Sequence, residues 1–89
     1  MKVGIIGFGV VGNAISNTLS KVYSIVPFDR YLGLNDVVSL LKCDFIFISV
    51  PTPFDCLKNE VDQTAVVENL TLLSERNYNG TVIIKSTLP

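Results

Sequence analysis

Three glycines near the start of the chain have the spacing of a phosphate-binding loop. The stretch G-F-G-V-V-G follows a short apolar run and places them at Gly7, Gly9 and Gly12. Between a strand and a helix, the first glycine allows a tight turn and the second lets the backbone approach a pyrophosphate. The third lets the helix pack closely on the strand, and the helix N-terminus favours negative charge. We therefore expect a dinucleotide to contact Gly7, Phe8, Gly9, Val10, Val11 and Gly12.

An acidic residue follows this loop at the distance that a dinucleotide site requires. Asp29 lies 22 positions beyond Gly7, at the predicted end of the second strand. A carboxylate there accepts the adenosine ribose hydroxyls and repels a 2′-phosphate, which favours NAD over NADP. Arg30 is the residue type that accommodates such a phosphate, or it stacks on adenine or is solvated. The alternative for the whole motif is a glycine-rich turn in a fold that binds nothing.

The elements that must position these residues alternate between strands and helices. Apolar, β-branched runs predict strands over 2–6, 22–26, 45–50 and 81–85, with Pro27 ending the second and Pro51 and Pro53 the third. Helical spacing predicts a first helix with the apolar stripe Val11, Ala14, Ile15, Thr18 and Leu19. A short helix over 37–41 has Asn35 or Asp36 as its cap. A third helix has Asp62 as its N-cap and the stripe Ala65, Val66, Asn69, Leu70 and Leu73, and it ends before a turn at Asn79-Gly80.

This alternation predicts an α/β fold with a Rossmann-like parallel sheet of about four strands and flanking helices. Only about fifteen residues separate Asp29 from Asp44, too few for an extra strand and crossover. We therefore expect the strand order 2-1-3-4, with the switch point between the first and third strands. The loops after Ile6, Val50 and Lys85 should then converge at the carboxyl edge, where ligands bind.

Composition limits the possible functions. The 89 residues form one domain, residues 1–89, and the net charge of −1 argues against nucleic acid and anionic membranes as partners. The chain has no histidine, which excludes a Cys/His zinc site and a histidine-based triad, and we expect no metal. Cys43 and Cys56 are interpreted as structural thiols in a reducing cytoplasm. The first twelve residues are glycine-rich and too short for a membrane span, so a signal peptide is not expected.

Two further stretches make a more specific pattern with the glycine loop. S-V-P-T-P spans 49–53, K-S-T-L-P spans 85–89, and Asp62 lies at the start of the predicted third helix. Together with G-F-G-V-V-G, they resemble the N-terminal NAD-binding domain of UDP-glucose 6-dehydrogenase and its nucleotide-sugar dehydrogenase relatives, over the full length of the chain. The resemblance implies an NAD-dependent oxidation of a UDP-hexose to the uronic acid.

The resemblance also implies roles for individual residues. The residues facing the nicotinamide end of NAD would be Val50, Pro51, Thr52, Pro53, Ser86 and Thr87. Thr87 matches a threonine near the reacting carbon that helps to position a water. A purely structural alternative is that the prolines terminate a strand and that Ser86 and Thr87 are a polar strand end. Ser49 is equally open to a structural or a functional role.

The sequence departs from this family in several places. Val10 stands where the family usually has a tyrosine, and Leu34 where it often has a basic residue. In the family, the catalytic cysteine, lysine, asparagine and aspartate and the UDP-sugar-binding domain lie C-terminal of the K-S-T-L-P stretch. Cys56 and Lys85 do not match them. We therefore expect no catalytic residue in this chain other than a water-positioning Thr87, and UDP-sugar binding only with a further C-terminal part or a partner chain.

These observations leave two main functional hypotheses. The first is a truncated or split NAD-binding part of a nucleotide-sugar dehydrogenase, inactive by itself. The second is a stand-alone, non-catalytic NAD(H)-binding module with a regulatory or docking role, and a relict without function is a third possibility. An unpaired edge beside the fourth strand predicts a homo-oligomer or a loss of stability.

Overall fold

The computed structural model describes residues 1–50 and 54–85. Its elements in chain order are β1 (Lys2–Ile6), α1 (Val10–Leu19), β2 (Ser24–Phe28), a 3-10 turn (Arg30–Leu32), α2 (Val37–Leu41), β3 (Phe45–Ile48), β4 (Phe54–Asp55), β5 (Glu60–Val61), α3 (Thr64–Glu75) and β6 (Thr81–Ile84). In these ranges no helix is both long and apolar enough to cross a bilayer.

The main sheet confirms the predicted fold. Four parallel strands lie in the order β2-β1-β3-β6, which is 2-1-3-4 when only the strands of this sheet are counted. The register pairs Ile6 with Phe28 on one side and with Ile48 on the other. This Rossmann-like arrangement places the carboxyl ends of β1, β2 and β3 side by side, with the switch point between β1 and β3.

The second strand corrects one prediction. Pro27 does not end β2; it lies inside the strand, paired in register with Ile5. The amide of Ser24 donates to Met1 and the carbonyl of Phe28 accepts from Gly7. The alternation of a strand therefore turns the nitrogen of Pro27 away from β1, to the outer edge of the sheet. Proline is tolerated there because no ladder hydrogen bond is required of it.

The helices follow the predicted positions, with two changes in α3. Its N-cap is Gln63 and not Asp62, which lies one residue earlier and accepts the amide of Thr64 at 2.9 Å. Asp36 caps α2, since its carboxylate accepts the amide of Ser39 at 3.1 Å. In α3, Val66, Asn69 and Leu73 are buried as predicted, but Leu70 is exposed. Leu72 packs against the core instead.

Most of the core lies on the face of the sheet that carries α2 and α3. It contains Ile6, Phe28, Leu40, Cys43, Ile46, Ile48, Val66 and Leu73. Val3 and Ile5 are also fully buried, with side chains that alternation directs to the other face, towards α1. The hairpin of β4 and β5 pairs only Phe54–Asp55 with Glu60–Val61, in a segment where the sequence predicts no strand.

Candidate functional site

The glycine loop joins β1 to α1 at the carboxyl edge of the sheet. Gly7 has a φ of +87°, a region that residues with a side chain rarely adopt. A Cβ atom there would also lie 2.9 Å from the backbone nitrogen of Val50. The fold itself therefore requires glycine at this position, because the turn brings β1 against the end of β3.

Gly12 has a different structural reason to be a glycine. It is the buried residue of α1, and a Cβ atom there would collide with the carbonyl oxygen of Gly7. The same atom would lie 3.0 Å from the hydroxyl of Ser49. The missing side chain lets the first turn of the helix contact the loop that precedes it.

Gly9 is the glycine that the fold does not explain. Its φ is −81°, in the range of ordinary residues. A Cβ atom at Gly9 would have no neighbour within 4 Å. The space in front of this residue is open, on the exposed side of the loop.

The N-terminus of α1 begins at this open space. Gly9 is the N-cap, and no side chain caps the helix. The first amide to find a backbone acceptor is that of Asn13, which donates to the Gly9 carbonyl at 2.9 Å. Among the described residues, no acceptor faces the amides of Val10, Val11 and Gly12. These three donors and the positive end of the helix dipole can bind an anion.

Asp29 lies against the same loop. Its carboxylate accepts the backbone amide of Phe8 at 2.8 Å, and the Gly7 amide donates to Phe28 at 2.8 Å. The backbone of Asp29 is fixed by a bridge to Leu34, with N–O distances of 2.6 and 2.9 Å. The predicted partners of a dinucleotide are thus brought together, but Asp29 also holds the loop in shape.

Ser49 ties the loop from the side of β3. This buried hydroxyl lies 2.6 Å from the Gly7 carbonyl oxygen and 3.1 Å from that of Ile6. Both contacts are to the protein's own backbone. Of the two roles considered for Ser49, the structural one therefore accounts for its position.

An ion pair closes the other side of the site. Arg30 follows Asp29, and its guanidinium lies 2.9 Å from the carboxylate of Glu68 on α3. The two side chains are 64% and 54% exposed, so water screens the pair. Sequence reasoning missed Glu68, because α3 meets the 3-10 turn only through the tertiary fold.

Two cavities adjoin at this ion pair. The smaller, about 130 Å³, lies against Gly7, Asp29 and Val50. The larger, about 570 Å³, extends along α2 and α3. The residues that line both cavities are Phe28, Arg30, Glu68 and Asn69. Only the larger cavity by itself has the volume typical of ligand sites, about 300–1,000 Å³.

Asn69 adds a polar group to the wall between these cavities. Its side chain is only 7% exposed, and its amide nitrogen donates to Ala65 at 2.7 Å. No described group donates to its carbonyl oxygen. A buried acceptor without a donor is unusual in native proteins and suits a ligand that carries an N–H or O–H group.

Of the remaining predicted site residues, some lie within the described ranges and some outside them. Val50 lies beside Gly7, as expected. Pro51, Thr52, Pro53, Ser86 and Thr87 lie outside the described residues. The amide of Lys85 donates to the Ile48 carbonyl at 2.7 Å, so the end of β6 adjoins the end of β3.

The two cysteines are not arranged for chemistry with each other. Both are free thiols, Cys43 buried and Cys56 exposed. Burial raises the pKa of the Cys43 thiol, which keeps it protonated and a poor nucleophile. Within residues 1–50 and 54–85, no three cysteine or acidic side chains cluster as metal ligands would.

Comparisons with known proteins add no relative: no family model, curated protein or solved structure matches the chain. The candidate site therefore rests on the geometry of the glycine loop and its neighbours.

Proposed function

We propose that this chain binds NAD at the carboxyl edge of its sheet, as the cofactor-binding part of a UDP-glucose or related nucleotide-sugar 6-dehydrogenase. Gly9 carries the proposal. Close packing explains Gly12, and backbone conformation explains Gly7, but neither explains Gly9. Open space in front of a glycine at a helix N-terminus suits the close approach of a pyrophosphate.

The chain's own residues would bind and orient the cofactor. The amides of Val10, Val11 and Gly12 would donate to the pyrophosphate, and Asp29 would accept from the adenosine ribose. The stretch 50–53 together with Ser86 and Thr87 would face the nicotinamide end, with Thr87 near the reacting carbon. When bound, NAD would accept a hydride from the sugar alcohol.

The adenosine end has further support. The buried Asn69, whose carbonyl oxygen has no donor among the described residues, lines the cavity beside Asp29. An adenine amino group or a ribose hydroxyl is a donor of the kind that this oxygen lacks. These groups favour a nucleotide over a simple phosphate as the ligand.

The experiment that tests the proposal is a comparison of Gly9→Ser with the unchanged chain. Serine is a preferred N-cap residue, so thermal stability should be maintained or raised. Its side chain fills the space in front of the loop, so calorimetry should show NAD binding weakened at least about tenfold, or about 1.4 kcal/mol. Unaltered NAD affinity in a folded Gly9→Ser variant would remove the loop from the site.

A second candidate is a non-catalytic NAD(H)-binding module. It needs only the residues that are gathered at the pyrophosphate and adenosine end, Gly9, Asp29 and Asn69, and no covalent step within the chain. NAD and ADP-ribose distinguish the two hypotheses. A dehydrogenase part has contacts for nicotinamide and should bind NAD more tightly, whereas equal affinities would indicate a module that recognises only the adenosine and pyrophosphate. In neither case do we expect this chain alone to reduce NAD with UDP-glucose, and sustained formation of NADH would contradict both.

A further inference from the structure

The ion pair between Arg30 and Glu68 lies where a dinucleotide would present its adenosine ribose. Arg30 is the neighbour of Asp29, the proposed ribose acceptor, and both line the smaller cavity with Gly7. Glu68 reaches the same cavity from α3, on the opposite side. Asp29, Arg30 and Glu68 therefore border one space, with two carboxylates and one guanidinium.

This arrangement matters for the choice between the two nicotinamide dinucleotides. They differ by a phosphate on the 2′-hydroxyl of the adenosine ribose, the group that a carboxylate such as Asp29 repels. Arginine is the residue that accommodates that phosphate, because its planar fork donates two parallel hydrogen bonds to phosphate oxygens. Arg30 is therefore the group at this site that could reverse the preference of Asp29.

Glu68 already holds that guanidinium. The distance of 2.9 Å is that of a charge-assisted hydrogen bond, and the carboxylate offsets the charge of Arg30. A 2′-phosphate would compete with Glu68 for Arg30 and would lie near two carboxylates. Because the ion pair is exposed and weak, Glu68 lowers the affinity for NADP but does not prevent NADP from binding.

We propose that Glu68 is a specificity-determining residue, which disfavours NADP by withholding Arg30 from the 2′-phosphate. This inference rests on the proposed binding of NAD at the glycine loop. Glu68 on α3 would then act together with Asp29, after β2, in the discrimination of NAD from NADP.

The test measures the affinities of NAD and NADP by calorimetry at low ionic strength. Glu68→Gln should raise the affinity for NADP relative to that for NAD by about fivefold, the order expected when one exposed ion pair is released. Glu75→Gln is the matched control, since it removes the same charge from the last residue of α3, which lines the larger cavity but not the one beside Asp29. In the double variant Arg30→Ala/Glu68→Gln, the gain in NADP affinity should disappear.

The outcomes separate this inference from the function on which it rests. NAD binding by the unchanged chain, with no gain in NADP affinity in Glu68→Gln, would overturn the role of Glu68 and leave the proposed function standing. An equal gain in Glu75→Gln, or a gain that persists without Arg30, would show only a general charge effect and would also overturn it. Absence of NAD binding in the unchanged chain would remove both proposals.

Discussion

The glycine loop combines residues that serve the fold with one that does not. Gly7 and Gly12 are required by a positive φ and by a backbone contact. Gly9 faces open space. Asp29 belongs to both groups, since it holds the amide of Phe8 and is the proposed ribose acceptor. Removing Asp29 would therefore disturb the loop as well as the ligand contact, which makes Gly9 the cleaner probe of binding.

Gly12→Ala should destabilise the protein, in contrast to Gly9→Ser. The added methyl group would collide with the Gly7 carbonyl, which is backbone and cannot turn aside. Overpacking of this kind typically costs about 1–3 kcal/mol. The free energy of unfolding in urea should fall by that amount. Equal stabilities of Gly12→Ala and the unchanged chain would show that the helix does not contact the loop as described.

At the scale of elements, apolar and β-branched runs predicted three of the four strands of the main sheet closely. The runs that form β1, β3 and β6 were located within two residues of their observed ends. The predicted second strand, 22–26, lies two residues before the observed one. Proline usually marks the end of a strand, but an edge strand tolerates Pro27 in its interior. The hairpin of β4 and β5 was missed because two-residue strands have no periodicity to detect. Glu68 could not be placed at the site because its contact with Arg30 depends on how α3 packs.

Two aspartates near the N-termini of α2 and α3, the N-cap Asp36 and Asp62 before the N-cap Gln63, predict how stability depends on pH. Hydrogen bonds from Ser39 lower the pKa of Asp36 below its usual 3.8, and those from Thr64 lower the pKa of Asp62 in the same way. A carboxyl whose pKa is lower in the folded state stabilises the protein above its unfolded pKa. That stabilisation is lost as the pH falls through the folded pKa. The contribution of both aspartates to stability should therefore fall below about pH 4.

Asp36→Asn tests this dependence with a residue that still caps helices. Urea unfolding at pH 7 should change little, whereas the loss of stability between about pH 4 and pH 2 should be smaller than in the unchanged chain. Asp62→Asn should act similarly at α3. If the free energy of unfolding falls equally at low pH in both variants and in the unchanged chain, these two aspartates are not the source of the pH dependence.

At the scale of the whole molecule, the two edges of the sheet differ. At one edge, Pro27 in β2 has no amide hydrogen to offer another strand. At the other, Thr81 donates to Asp44, just before β3, and Lys85 donates to Ile48 in β3. Alternation therefore directs the amides of Val82 and Ile84 outwards. Among the described residues no strand pairs with this side of β6, and Ile84 is 51% exposed. Such an edge can pair with another chain.

We expect the protein to self-associate through β6, in a manner that depends on its concentration. Ile84→Lys places a charge on the exposed edge and should shift sedimentation towards the monomer. Val22→Lys is the control, because Val22 is exposed in the turn before β2, at a distance from β6. Monomers at every concentration, or the same shift in both variants, would exclude this edge as the contact.

The hydrogen bonds of the glycine loop also mean that the loop is ordered when the protein folds, before any ligand binds. Phe8 is bonded to Asp29, Gly7 to Phe28, and Ser49 to the Gly7 carbonyl. These residues therefore lose their backbone conformational entropy during folding, together with the residues of the sheet. A ligand that arrives in front of Gly9 meets a preorganised surface, so its affinity is not reduced by the ordering of a loop.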